Sequence, residues 1–133
     1  MYLMTLVIKV SFLLISILSL SYGLIFLIIP DWFVEITMAK SINVAWLRNI
    51  GSSIVGLLFF GCLAIYYKPK GKFLLFRIIT ITSILQTISL IYSRFYNEFS
   101  AQNLILIDFT IYLAIFVSIY FAWIGIYKAK IFK

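Results

Sequence analysis

From Asn49 to Tyr67 nineteen consecutive residues carry no charge. At a helical rise of about 1.5 Å per residue they extend roughly 28 Å, the thickness of a bilayer's hydrocarbon core. Three further apolar runs are at least as long: Val10 to Ile29, Phe73 to Tyr96 with Arg77 and Arg94 near its ends, and one from about Gln102 to Tyr127 that holds Asp108. Within hydrocarbon no water can satisfy backbone N–H and C=O groups, so each run is held to a helix. The expectation is an all-α polytopic membrane protein, a four-transmembrane-helix bundle. Its helices fall at about residues 10–29, 44–67, 73–96 and 102–127, in a single domain over 1–133.

The composition excludes a soluble globular domain, with 65% hydrophobic and 11% charged residues and a mean hydropathy of +1.15. A net charge of +7 raises nucleic-acid binding, which needs basic residues clustered on a soluble face. Here they sit at the ends of apolar runs. Lys68, Lys70, Lys72 and Arg77 surround one connection, while Lys128, Lys130 and Lys133 form the tail. Excess lysine and arginine marks the cytoplasmic side, which puts both termini and the second connection in the cytoplasm. Asp31, Glu35, Glu98 and Asp108 then fall at the opposite end, together with Lys40, Arg48 and Arg94. The chain has no histidine and one cysteine, Cys62, in mid-run. Histidine-ligated haem, zinc and histidine triads are thereby excluded, no metal or cofactor is expected, and Cys62 reads as a small packing residue.

Local signals bound the helices. The first run is long for the apolar part of a secretory signal and no small-x-small cleavage site closes it, so it reads as a retained helix. Pro30 and Asp31 end it, because proline disfavours helical geometry in the residue before it. Trp32, Phe33 and Ile36 in the following connection suit a short interfacial helix, and Asn43 is the expected cap of the second span. Lys68-Pro69-Lys70-Gly71-Lys72 combines two helix breakers with three charges and reads as a tight turn.

Arg48 opens the second run, and an arginine entering a membrane is costly unless it meets a partner or water. Helical spacing groups it with Gly51, Ser52, Val55, Gly56 and Phe59. The small residues Gly51, Ser52 and Gly56 would let another helix come close and turn this face inward. The third run carries Ser83, Gln86, Thr87, Ser93 and Arg94 on a polar face, and Asp108 with Tyr112 share a face of the fourth. Arg48, Arg94 and Asp108 would then meet near one end of the bundle. With Gln86, Tyr92 and Tyr112 they would line a positively charged pocket for an anionic headgroup or a polarised carbonyl. The competing reading is that Asp108 neutralises one arginine, the other reaches the interface along its own stem, and the cluster only fixes packing.

These residues also carry a resemblance. Gly23-Leu24 followed by Pro30, Leu47-Arg48 followed by Gly51 and Gly56, Arg94 closing the third run and Asp108 early in the fourth resemble the small DoxX-like four-helix membrane proteins. The likeness is greatest to a bacterial branch of about this length that has no assigned activity. The resemblance implies a four-helix bundle in a bacterial inner membrane. In the wider group some members are linked to quinol oxidation or serve as accessory subunits. Only Arg48, Gly51, Arg94 and Asp108 match position by position.

The functional expectation is a binding or accessory protein holding a lipid or quinone-like ligand near Arg48, Arg94 and Asp108. Its partners would be membrane lipids, with a homo-oligomer or a larger membrane complex as its setting. An oligomeric transporter or flippase subunit for an anionic or lipidic substrate is the alternative. An enzyme using Asp108 as acid or base ranks last, because no positioned partner group accompanies it.

Overall fold

The computed structural model describes residues 2–39, 44–99 and 101–132, with side chains from residue 5 onward. Asn43 and Lys40 lie outside the described residues. The architecture is all-helical. Apart from an isolated bridge between Ala39 and Ala101, the regular structure among the described residues is helix.

α1 runs Tyr2–Ile28 and α2 Pro30–Thr37. Ile29 breaks the helix between them, with φ −125° and ψ 49°, because the ring of Pro30 crowds the residue before it. Pro30 then occupies the first turn of α2, where its missing N–H is no loss. The second span comprises α3 (Val44–Ser53), a π-helical segment (Ile54–Phe59) and α4 (Phe60–Tyr67). α5 (Phe73–Phe95) and α6 (Ile105–Tyr127) complete the set. Four helices are therefore long and apolar enough to cross a membrane: Thr5–Ile28, Val44–Tyr67, Phe73–Phe95 and Ile105–Tyr127. Their outward faces are aliphatic and aromatic, with Leu14, Ile17, Leu74, Leu85, Phe116 and Ile119 exposed. Such a belt is suited to hydrocarbon.

The helices associate as two pairs. α1 packs along the whole second span, and α5 packs against α6. Gly23 and Gly51 bring the first pair together: a Cβ on Gly51 would stand 2.7 Å from the Leu27 N and 2.8 Å from the Gly23 O. Only hydrogen fits there, so the two backbones touch. The pairs join at the basic end, where Phe12, Phe76, Phe121 and Phe132 are fully buried. Phe12 stacks on Phe121 at 5.6 Å and Phe76 on Phe132 at 4.4 Å. Phe132 gets there because the tail folds back. Its carbonyl accepts from the Gly71 N at 2.8 Å, and Gly71 takes a φ of +79° that L side chains rarely adopt.

At the mixed-charge end α2 lies across the bundle, consistent with the short helix expected there. Phe33 packs edge-on against Phe26 at 4.8 Å. The Asn103 N donates to the Thr37 O at 3.1 Å and the Asn103 Nδ2 to the Ile36 O at 3.4 Å. These bonds tie α2 to the α5–α6 connection.

Candidate functional site

The expected inward face of the second span divides. Gly51 and Val55 do meet α1, with Val55 Cγ2 standing 2.5 Å from where a Cβ on Gly23 would lie, and burial continues through Leu47, Ile54 and Leu58 on the adjoining side. Arg48, Ser52 and Gly56 are exposed, and a Cβ on Gly56 would meet nothing within 4 Å. Gly51 alone of the three small residues makes the close helix contact. The serines answer to their own helix: Ser52 and Ser53 donate to the Asn49 O at 2.8 and 3.1 Å. Small polar residues in this span are thus satisfied locally and need not face the bundle.

Arg94 and Asp108 do meet. The Arg94 Nε donates to Asp108 Oδ1 at 2.6 Å and the Nη2 to Oδ2 at 3.4 Å. The pair joins the last turn of α5 to the first turn of α6, with both side chains 36% exposed. Arg48 is not part of it, nor is Tyr112, which is 71% exposed and turned outward. Tyr92 is exposed as well and stacks on Tyr96 at 4.4 Å. Arg94 borders a shallow crevice with Ile91, Phe95, Asn97, Ile111 and Ile115. Of the six residues expected to share a pocket, Arg94 and Asp108 stand together, while Arg48, Tyr92 and Tyr112 are exposed and Gln86 lines a different space.

The principal cavity lies elsewhere, between the two helix pairs, and measures about 600 Å³. That is within the range of about 300–1,000 Å³ of small-molecule sites. α1 contributes Ile15, Leu18, Ser19 and Tyr22; the second span contributes Trp46, Leu47, Ile50, Ile54 and Leu58. α5 and α6 supply Ser83, Gln86 and Thr87 opposite Ile107, Thr110 and Val117. Glu98 and Phe99 reach it from the α5–α6 connection, toward the mixed-charge end. Below, the four phenylalanines close the basic end.

Ser83, Thr87 and Ser118 are all buried near the middle of their helices. Thr87 Oγ1 and Ser118 Oγ lie 2.8 Å apart, and the Thr110 and Tyr22 hydroxyl oxygens 3.4 Å apart. Ser16 donates to the Phe59 O at 3.3 Å, a carbonyl at the end of the π-helical segment. Wider π turns recur at functional sites, and Ile54 and Leu58 of this one face the cavity. Among the described residues no group of three or more Cys, Asp or Glu side chains could hold a metal ion.

The polar face read from α5 thus divides: Ser83, Gln86 and Thr87 face the cavity, while Arg94 borders the crevice between α5 and α6. Ser19, Tyr22, Glu98 and Thr110, none of them singled out from the sequence as site residues, also line the cavity. Thr110 and Ser118 are the two aliphatic hydroxyls of the fourth run. The π-helical segment left no trace in the residue pattern.

Fold and cavity define an all-helical protein with four helices able to cross a membrane and a ligand-sized space between them. No family model, no curated protein and no solved structure matches the chain.

Proposed function

We propose that this is a multi-pass protein of a bacterial inner membrane that holds a lipid or quinone-like molecule between its helix pairs, as a binding or accessory subunit. The observation that carries this reading is the cavity of about 600 Å³, apolar over most of its wall and polar at a few convergent points. Both termini and the Lys68–Lys72 turn lie in the cytoplasm, because Lys68, Lys70, Lys72 and Arg77 cluster at that end. The resemblance to DoxX-like proteins agrees with this setting, and a homo-oligomer or larger membrane complex is compatible with the exposed apolar belt.

A transporter needs polar groups continuing to the far side, whereas the rings of Phe12, Phe76, Phe121 and Phe132 occupy that position. This favours a one-sided pocket.

The test is native mass spectrometry of the gently extracted protein beside Ala114→Phe, which places a ring in the cavity from α6. Excess mass on the wild type that the variant loses supports ligand binding and reveals its chemistry. A bare protein in both samples refutes it.

A further inference from the structure

Ser83 is unexplained by packing. It lines the cavity, is 5% exposed, and its hydroxyl has no hydrogen-bond partner. Helical serines and threonines ordinarily donate to a carbonyl one turn back. Ser11, Ser21, Thr80 and Thr110 do so here, to Val7, Ile17, Phe76 and Leu106. Thr87 and Ser118 instead satisfy each other across the α5–α6 contact. Ser83 is left as a donor in an apolar vault, one turn below Gln86 and Thr87, and buried hydroxyls are normally paired.

Charge narrows the ligand further. Among the described cavity-lining residues Glu98 is the one carboxylate, and none is a lysine or arginine. A phosphate or carboxylate inside would face Glu98 with no cation among those residues to offset the repulsion, and desolvating an unpaired charge is prohibitive. Arg94, one of the two cations expected at the site, is held by Asp108 and borders the crevice between α5 and α6 instead.

We propose that the cavity takes an uncharged apolar molecule bearing a carbonyl oxygen, which accepts a hydrogen bond from Ser83 at mid-bundle, with Gln86 beside it. The proposal rests on the ligand-binding reading above and corrects the charge expected of the ligand. Two kinds of molecule carry this chemistry in a membrane, an uncharged glycerolipid through its ester carbonyl and a quinone-like ring through its own.

Thermal unfolding of the full chain in detergent, titrated with dioleoylglycerol, 2,3-dimethyl-1,4-naphthoquinone or dioleoylphosphatidylglycerol, tests it. One of the two uncharged probes raises the unfolding temperature of the wild type in a saturable way, and which one does so identifies the source. Ser83→Ala weakens its apparent affinity about fivefold to tenfold, the worth of one neutral hydrogen bond. Without probe the same variant is at least as stable as the wild type, since it removes an unpaired hydroxyl. Unchanged affinity in Ser83→Ala, or saturable phosphatidylglycerol binding that Ala114→Phe abolishes, overturns the inference and leaves ligand binding standing. No shift with any probe, or shifts that Ala114→Phe leaves intact, overturns both.

Discussion

Replacing Gly51 and Gly56 separately by alanine separates two residues that look alike in the sequence. A methyl on Gly51 would lie 2.7 Å from the Leu27 N, 2.8 Å from the Gly23 O and 3.0 Å from the Phe26 C, all backbone atoms of α1. Ordinary contact begins at 3.4 Å, so the second span must back away by about 0.7 Å, and a gap of that size forfeits roughly a quarter to a half of each dispersion contact it opens. Backbone cannot swing aside as a flexible side chain can, so the loss spreads along the α1 interface. Overpacking of this kind costs about 1–3 kcal/mol. Gly56 has nothing within 4 Å of its added methyl, so alanine there gains up to about 1 kcal/mol of helix propensity. Equilibrium unfolding in mixed detergent micelles, followed by helical circular dichroism, reads both. Gly51→Ala destabilises by about 2 kcal/mol while Gly56→Ala is neutral or stabilising. Equal losses from the two, or a Gly51→Ala protein as stable as wild type, would show that the second span does not meet α1 as described.

Three further outcomes follow from particular contacts. Asp108→Asn breaks the Arg94 pair at the half-exposed end of α5 and α6, and lowers the unfolding midpoint by less than Gly51→Ala does; ligand retention by native mass spectrometry is unchanged, because the pair stands outside the cavity. Thr87→Val leaves the buried Ser118 hydroxyl without its partner at 2.8 Å and destabilises by about 1 kcal/mol, and adding Ser118→Ala recovers most of that, as a double-mutant cycle in the same assay shows. Cys62 is fully buried, so a membrane-permeant maleimide labels it at the rate of unfolding rather than on mixing; rapid labelling of the native protein would contradict the packed basic end.

Much of the fold was legible along the chain because the signals are local. Run length against bilayer thickness marked the four long helices, Pro30 marked the break after α1, and the aromatics around Trp32 marked α2. Gly71, in a turn rich in lysine, stands where a positive φ is required. Arg94 and Asp108 were picked out as charges that had to find partners near the end of the bundle, and they found each other. Two elements were less legible. The tail was read from its lysines alone, yet Phe132 is buried beneath Phe76 and meets Phe12 edge-on at 6.1 Å, a contact across most of the chain. The first helix also starts at Tyr2 rather than Val10, since Lys9 is carried within it.

What the sequence by itself determined is how many helices are long and apolar enough to cross a membrane, how long they are, and which ends carry basic or mixed charge. Each of these depends on counting residues against a fixed thickness. Which way each helix faces was decided by tertiary structure alone. A helix that is apolar all round has no polar side to turn from the core, and lipid covers its outer face as well as protein covers its inner one. Its rotation is then settled by a few long-range fits: Gly51 against the α1 backbone, Thr87 against Ser118, and four phenylalanine rings at the basic end. Those fits placed Ser83 inside the cavity and left Arg48 outside it.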